Sequence, residues 1–232
     1  KPPVPKPGTP LAVSKLPLGG AAQLPRRPKG RGGAHNRADR ESDALTVRQV
    51  GNLLAAADHA DAIGLPLTRF ITIHWQSAGV PPEGMAKATG RFVDLLAKAL
   101  ARHGSVTAWL WVHEGGINKG GHCHLLVHVP PMLVRVVSRL QKGWLRRISG
   151  KPYRAGVIKS RPVGGRLGVE TSMPAVHAIN LDNVLGYALK AADAEAVAEF
   201  DLPLSEPGGR VIGKRCSTSQ NIGPKARKEA KR

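Results

Sequence analysis

Two histidines and a glutamate stand at spacings that suit the ligands of a catalytic metal ion. His122 and His124 lie two residues apart in a run with strand character, so both point to the same face of a sheet. Glu114 ends the preceding predicted strand and can reach the pair across a hairpin. Two imidazoles and a carboxylate bind a divalent cation and leave positions open for a substrate oxygen. We therefore predict a metal site at these three residues, the alternative being half-buried strand histidines without a ligand.

Two neighbouring histidines compete for a place in this site. His113 is a rival third ligand, but its strand parity is opposite to that of Glu114, so it should point to the other face. His128 lies further along the strand of the histidine pair, and we interpret it as structural or peripheral.

A tyrosine and a lysine form the second candidate for chemistry. Tyr187 and Lys190 are three residues apart in a predicted helix and should project from one face. A cation beside a phenol favours the phenolate, which is a competent nucleophile toward phosphorus. The alternative is an amphipathic helix with a core tyrosine and a solvated lysine. The other tyrosine in the chain, Tyr153, lies in a Lys-Pro-Tyr-Arg loop context that would hold a nucleophile less well.

The elements that must carry these residues follow from apolar periodicity. Thr46 and Gln49 match a capping box at the start of the first helix, and Asn180 is a predicted N-cap of the last. Residues 150–178 should add one or two short strands. Helices are predicted from Thr46 onward and over about 85–103, 133–148 and 181–200, and strands over about 69–75, 106–114 and 122–129. The pattern predicts an α+β fold with a central, largely antiparallel sheet flanked by helices.

The charge balance points to a polyanionic partner. Lys and Arg number 35 against 16 Asp and Glu, giving a formal charge of +19, and nucleic acid is the first class to consider. A solubilising basic tail is the alternative. No apolar stretch approaches the ~20 residues that span a bilayer, and no signal peptide is visible. Two cysteines fit a reducing compartment, so we expect a cytoplasmic protein without a membrane partner.

Composition divides the chain into three segments. Residues 1–43 are predicted to be a disordered, basic, proline-rich arm, residues 44–205 a folded domain, and residues 206–232 a basic C-terminal segment. Polar and basic residues of the last segment are predicted to contact nucleic acid, a solvated basic loop being the alternative. These residues are Lys214, Arg215, Ser219, Gln220 and Asn221.

Together these motifs resemble the HUH endonuclease superfamily, and specifically its single-tyrosine rolling-circle replication initiators. His122-Cys123-His124 matches the His-hydrophobe-His motif, and Glu114 stands where such initiators often carry a carboxylate ligand. Tyr187 and Lys190 match the Y-x-x-K nucleophile motif, in the expected order. The run 70–73 is similar to the first strand motif of the family, and Thr72 within it is expected to contact DNA. The resemblance covers roughly residues 68–200 and makes 44–205 the endonuclease domain.

The resemblance implies a nicking and joining reaction on single-stranded DNA. Mg²⁺ or Mn²⁺, held by His122, His124 and Glu114, would polarise the scissile phosphate, although imidazole ligands also accept Zn²⁺. Tyr187 would attack, giving a 5′-phosphotyrosine and a free 3′-OH, and Lys190 would steady the phenolate or the phosphate.

The partner implied by the resemblance is single-stranded DNA at the replication origin of a plasmid, phage or other mobile element, with host replication proteins as further partners. A single-tyrosine transposase would share the same site. A non-catalytic, basic nucleic-acid-binding protein with incidental histidines is the alternative from another class.

Overall fold

Strands and helices alternate along most of the chain. The computed structural model describes residues 39–116, 120–165 and 173–232. The strands are β1 (Glu41–Ser42), β2 (Arg69–Ile73), β3 (Trp109–Gly116), β4 (Gly120–Val127), β5 (Ile158–Pro162), β6 (Val211–Ile212) and β7 (Cys216–Thr218). The helices are α1 (Val47–Ala62), α2 (Met85–Ala101), α3 (Val134–Ser149), α4 (Pro174–Ala188), α5 (Ala194–Phe200) and α6 (Pro224–Glu229). None of the helices in these ranges is long and apolar enough to cross a membrane.

A five-stranded sheet forms the centre of the fold. Its strand order is β5-β2-β4-β3-β7, and every neighbouring pair is antiparallel. A separate two-stranded ribbon pairs β1 with β6. Helices flank the central sheet, so the predicted α+β class is confirmed.

The two faces of the sheet support two apolar clusters. Ile71, Trp111 and Leu125 face a core shared with α2 and α3. Leu110 and Leu126 face a second core, shared with α1, α4 and α5. Side chains alternate between faces along a strand. The even-numbered residues of β3 and β4, which include the three predicted metal ligands, therefore lie on the second face.

Local signals placed the first helices correctly. Gln49 Oε1 accepts a hydrogen bond from the backbone N–H of Thr46 at 3.0 Å, which is half of the predicted capping box at the start of α1. The chain leaves α2 through Gly104, whose φ of +69° belongs to the left-handed region that glycine adopts readily.

The predicted helix over 181–200 is wrong. The chain instead forms α4 and α5, separated by residues 189–193, and Asn180 lies inside α4 rather than capping it. The backbone of Ala191 and Asp193 hydrogen-bonds to Leu45, at 2.9 and 2.8 Å, so these residues pair with a distant segment instead of continuing the helix. Asp193 then caps α5, its Oδ1 accepting from the N–H of Ala196 at 2.8 Å. Of the region 150–178, residues 166–172 lie outside the described residues, β5 is one predicted short strand, and α4 begins at Pro174.

The basic C-terminal segment, residues 206–232, packs into the fold. β7 is an edge strand of the central sheet, and Ile222 is buried in the second core. Gly209, with φ +64°, and Gly115 bring two backbones so close that a side chain at either position would collide with the other segment. At the other end, Glu41 and Ser42 pair with β6, so ordered structure begins before the predicted boundary at 43. Residues 1–38 of the predicted arm lie outside the described residues, and all described residues belong to one compact unit.

Candidate metal centre

The β3–β4 pairing brings the three predicted ligands together. Glu114 and His122 are direct cross-strand partners. His122 Nε2 lies 3.3 Å from Glu114 Oε2, and His124 Nε2 lies 3.4 Å from Glu114 Oε1. One ligand atom from each residue falls within 4.8 Å of the others, and all three side chains are buried. The cluster can therefore hold a metal ion.

Hydrogen bonds at the far side of each imidazole fix the orientation of the ring. His122 Nδ1 donates to the carbonyl oxygen of Gly120 at 2.9 Å, so its Nε2 carries the free lone pair. His124 Nδ1 lies 3.3 Å from Thr72 Oγ1 on the neighbouring strand. Such outer partners are typical of metal-binding histidines, because they set the tautomer and aim the ligand nitrogen. Thr72, predicted to contact DNA, is thus a partner of a ligand.

Two buried atoms of the cluster have hydrogen-bonding capacity that the protein does not use. Glu114 Oε1 and His124 Nε2 find no hydrogen-bond partner among the residues that the structure describes. Leaving a buried polar atom unsatisfied costs about 1–3 kcal/mol. A cation between them would satisfy both atoms, so the residues present fit a metal ion.

Electrostatics keep the cluster in its metal-binding protonation states. Burial by itself raises the pKa of Glu114, but the close ring nitrogens of His122 and His124 and the hydrogen bond from the Lys190 ammonium outweigh it and hold this pKa well below its usual range. Burial lowers the pKa of His124, against the opposing effect of Glu114. At neutral pH the carboxylate is therefore charged and this imidazole neutral, which are the forms that bind cations.

Lys190 has a partner that the sequence did not indicate. Its Nζ lies 2.6 Å from Glu114 Oε2 and 3.1 Å from Glu206 Oε2, and the lysine is only 5% exposed. Burial by itself lowers the pKa of Lys190, but the carboxylates of Glu114 and Glu206 outweigh this effect. The net pKa is raised, so the ammonium stays charged. Lys190 holds one oxygen of Glu114 and leaves the other, Oε1, directed toward His124.

Tyr187 lies beside the cluster at the end of α4. Its ring centroid is 5.2 Å from that of His124 and 6.1 Å from that of Phe70, in edge-on geometry. Lys190 Nζ lies 5.5 Å from the centroid of the tyrosine ring. Tyr187 is 37% exposed, so a solvent-borne substrate can reach it. Its predicted competitor, Tyr153, packs partly buried against the core on the other face of the sheet.

A cavity of about 420 Å³ joins the tyrosine to the histidine pair. Sequence reasoning missed several side chains that line it, namely His74, Lys159, Arg161 and Asn183. Lys159 and Arg161 alternate along β5 and therefore share a face, a signal that the sequence contained. The alternation alone could not predict a place in the site, because only the pairing of β5 with β2 brings the two cations to the cavity.

Arg215 does not fit its predicted role in DNA contact. It is 2% exposed, and its guanidinium donates to Ser42 Oγ at 2.9 Å and to the backbone carbonyls of Ser42 and Gly209. Burial lowers its pKa to about 10, which leaves it charged at neutral pH. Arg215 therefore ties the β1–β6 ribbon to the C-terminal segment and is not available to a ligand.

The other C-terminal residues predicted to contact DNA lie away from the metal cluster. They line a groove between α2 and the β3–β7 edge, beside Trp109 and Trp111, whose side chains point to the first face of the sheet. Ser219 is buried and bonds to Asn221 Oδ1 at 2.7 Å, whereas Gln220 is exposed. The residues concerned are Lys214, Ser219, Gln220 and Asn221. The structure does not bring them to the cavity that holds Tyr187.

The rival histidines have structural partners. His113 is fully buried on the first face, where its Nδ1 donates to the Lys214 carbonyl at 2.9 Å and its Nε2 accepts from Thr89 Oγ1 at 2.8 Å. Burial lowers its pKa to about 3, so it is neutral. His128 Nδ1 donates to the Pro66 carbonyl at 2.8 Å. Strand parity alone had placed His113 correctly, away from the metal ligands.

No model of a known protein family matches the chain, and a search of the curated proteins returns no match. The function must therefore be inferred from the residues of the site.

Proposed function

We propose that the protein is a metal-dependent endonuclease and strand transferase of the HUH type, acting on single-stranded DNA through a covalent phosphotyrosine. One observation carries the proposal: Tyr187 shares a cavity with His122 and His124, the two histidines of the Glu114–His122–His124 cluster, and its ring lies 5.2 Å from that of His124. A partly exposed phenol beside a cluster able to hold a cation is the arrangement that nucleophilic attack on a phosphate requires.

Glu114 Oε1, His122 Nε2 and His124 Nε2 would hold the metal, which we propose to be Mg²⁺ or Mn²⁺. When bound there, a divalent cation supplies Lewis-acid polarisation of a phosphate oxygen. Lys190 keeps the carboxylate in place, and the bonds from Gly120 and Thr72 keep the imidazoles in place. Rigid ligands of this kind hold the reacting groups in position, which is a large part of the rate gain in such enzymes.

In the proposed reaction, Tyr187 Oη attacks the scissile phosphorus. The Oη–P bond forms as the P–O3′ bond breaks, the phenolic proton passes to solvent, and the departing 3′ oxygen takes up a proton. One phosphodiester is thereby exchanged for another. The reverse attack by a 3′-OH on the phosphotyrosine rejoins strands without ATP.

Positive side chains around the cavity support binding of the DNA backbone. Lys159 and Arg161 project from β5 into the lining of the same cavity, next to Tyr187. Cations of this kind attract phosphates and position a strand without reading its sequence. Phe70 adds an apolar ring to the lining, against which a base can pack.

Within this class we favour initiation of rolling-circle replication of a plasmid, phage or mobile element in the cytoplasm, with host replication proteins as partners. A lysine at the third position after Tyr187 favours an initiator over a single-tyrosine transposase. The genes that neighbour this one would distinguish the two, because both enzymes would share the metal cluster and the nucleophile.

The decisive experiment incubates the protein with Mn²⁺ and a pool of single-stranded oligonucleotides labelled at both ends, because the 3′-terminal fragment stays on the tyrosine and the 5′-terminal fragment is released. We expect site-specific cleavage and a labelled protein band that survives denaturing electrophoresis, and EDTA should abolish both. Tight DNA binding with neither cleavage nor adduct in Mn²⁺ or Mg²⁺ would favour the non-catalytic nucleic-acid-binding protein instead.

A further inference from the structure

The exposed face of α3 carries a row of positive charges. Arg135, Arg139, Lys142 and Arg146 follow the spacing i, i+4, i+7 and i+11, which places them along one side of the helix, and all four are exposed. Their Cα atoms extend about 16 Å along the axis at 1.5 Å per residue. We call these four residues the α3 stripe.

No acidic side chain in the described part of the chain forms an ion pair with the α3 stripe. The sequence has no Asp or Glu from Gly115 to Val169, and within the described residues the stripe makes no salt bridge. Lys151 and Arg154 extend the positive surface into the following loop, where both are exposed. A surface of this kind is an electrostatic footprint for a polyanion.

The stripe lies across the sheet from the metal cavity. The opposite side of α3, with Val137, Trp144 and Leu145, is packed into the first core with α2. The main apolar face of α3 is therefore not available to a lipid bilayer, and apart from Leu140 its exposed surface is mostly charged. This argues for a nucleic acid and against a membrane surface.

We propose that the α3 stripe binds the phosphate backbone of duplex DNA. A row of about 16 Å spans roughly five phosphates at 3.4 Å of rise, which suits a polymer rather than a single anion. Proteins that bind single strands stack bases on exposed aromatic rings. Neither aromatic ring beside the stripe is exposed in this way: Trp144 is buried, and Tyr153 is half-buried, with Lys142 Nζ 5.3 Å from its ring centroid. These positions therefore favour a duplex over a single strand.

This inference rests on the proposed function: the stripe would bind the duplex that flanks the single-stranded cleavage site of a nicking enzyme. Duplex binding needs neither the metal nor Tyr187, however. It can therefore be tested in EDTA, so that failure of this proposal and failure of the nicking proposal remain distinguishable.

The test measures binding of the full chain to a short labelled DNA duplex in EDTA over a range of salt concentrations. The triple variant Arg135→Gln, Arg139→Gln and Lys142→Gln should bind roughly tenfold or more weakly at physiological salt, and its salt dependence should be shallower. A second variant, Arg135→Lys with Arg139→Lys, keeps the charge and should retain most of the affinity.

The matched control removes the same number of charges from exposed positions in α1, in α2 and directly after α2, with Arg48→Gln, Lys87→Gln and Arg102→Gln. Equal losses in the triple variant and the control would overturn the proposal, because only net charge would then matter. Normal duplex binding by the triple variant would also overturn the proposal. If the same variant lost binding to phosphatidylserine-containing vesicles or to a single-stranded probe, the stripe would instead bind a membrane or a single strand. Circular dichroism verifies that each variant is folded.

Discussion

The ring of Tyr187 lies edge-on to His124, in the wall of the cavity that both histidines of the metal cluster also line. Tyr187→Phe removes one oxygen and keeps the ring, so packing and DNA affinity should be preserved. Both cleavage and the covalent adduct should disappear, because the phenolic oxygen of Tyr187 is the attacking group in the proposed reaction. Tyr153→Phe is the matched control and should keep most of the activity. An adduct that maps to the Tyr153 peptide, or that persists in Tyr187→Phe, would refute the assignment.

The histidine pair offers a test that is independent of DNA. Replacing both His122 and His124 with Ala removes two of the three ligands, and Mn²⁺ binding measured by calorimetry or electron paramagnetic resonance should be lost. Both imidazoles are buried and lie against neighbouring rings, so circular dichroism must show that the double variant is folded before its Mn²⁺ binding is compared. The control double variant His59→Ala with His103→Ala removes two histidines elsewhere on the surface and should bind Mn²⁺ normally. Undiminished Mn²⁺ binding by the first variant would exclude this site.

Lys190 is expected to matter for the stability of the metal-free protein as well as for activity. Lys190→Met leaves Glu114 buried without its cationic partner, and breaking a buried ion pair in this way costs about 3–5 kcal/mol. Bound Mn²⁺ would replace the missing charge, so Mn²⁺ should stabilise this variant more than the wild type. Urea denaturation with EDTA and with Mn²⁺ measures both effects.

Glu206→Gln serves as the comparison for Lys190→Met, because this carboxylate is largely exposed and contributes about 1 kcal/mol or less. If Lys190→Met were no more destabilising than Glu206→Gln, the lysine would not be supporting the metal ligand.

At the scale of elements, the break between α4 and α5 carries Lys190 to the cluster. Asp193 caps α5, and Asp193→Ala should lower the free energy of unfolding by about 1 kcal/mol because the Ala196 N–H loses its acceptor. Asp193→Asn or Asp193→Ser can still cap the helix and should cost much less. Urea denaturation of the three variants decides the matter: equal losses would mean that the cap is not the cause.

Features encoded within a few residues could be predicted from the sequence, whereas features set by pairing of distant segments could not. The capping box at Thr46 and the alternation of His122 and His124 are encoded within a few residues, and both elements form where predicted. The end of α4 could not be predicted, since Ala191 and Ala192 are good helix formers that leave the helix only to pair with Leu45. The sheet order, which brings Lys159 and Arg161 to the cavity, is likewise set by contacts between distant segments.

The same limit applies to the candidate site. Glu114, His122 and His124 were predictable because a hairpin joins neighbouring strands in register. The contacts of Lys190 with Glu114 and of Arg215 with Ser42 were not, because each joins segments far apart in the sequence. Charge alone made Arg215 a candidate for DNA contact, and charge does not reveal burial.

At the scale of the whole molecule, the two cores meet across one sheet that contains a buried, neutral histidine. Trp75 Nε1 donates to Thr89 Oγ1 at 2.8 Å, the Thr89 hydroxyl donates to His113 Nε2, and His113 Nδ1 donates to the Lys214 carbonyl. Each polar atom in this series of hydrogen bonds has a partner only while the imidazole is neutral. Protonation of His113 would leave a second N–H facing the threonine hydroxyl inside the core.

This network makes the folded protein sensitive to acid. Burial lowers the pKa of His113 to about 3 in the folded state, from an ordinary value of 6.5. Between these values the unfolded chain binds a proton that the folded protein does not, so stability is complete above about pH 6.5 and falls as the pH decreases toward 3. From about pH 7 to pH 5 the loss from this residue should be about 2 kcal/mol. The lowered pKa values of His124 and His128 also make the protein less stable as the pH falls. Glu114 adds to this loss of stability only below its ordinary pKa of 4.5.

Urea denaturation of the wild type and of His113→Gln, each at about pH 7 and pH 5, isolates the contribution of the buried imidazole. Glutamine does not titrate, so this variant should be less stable at neutral pH, because its amide cannot reproduce both hydrogen bonds, but should lose about 2 kcal/mol less than the wild type on acidification. The difference between the two pH dependences is the quantity to compare, since His124 and His128 contribute equally to both proteins. If the two pH dependences were the same, His113 would titrate alike in the folded and unfolded chains, and the buried network could not be what makes the fold sensitive to acid.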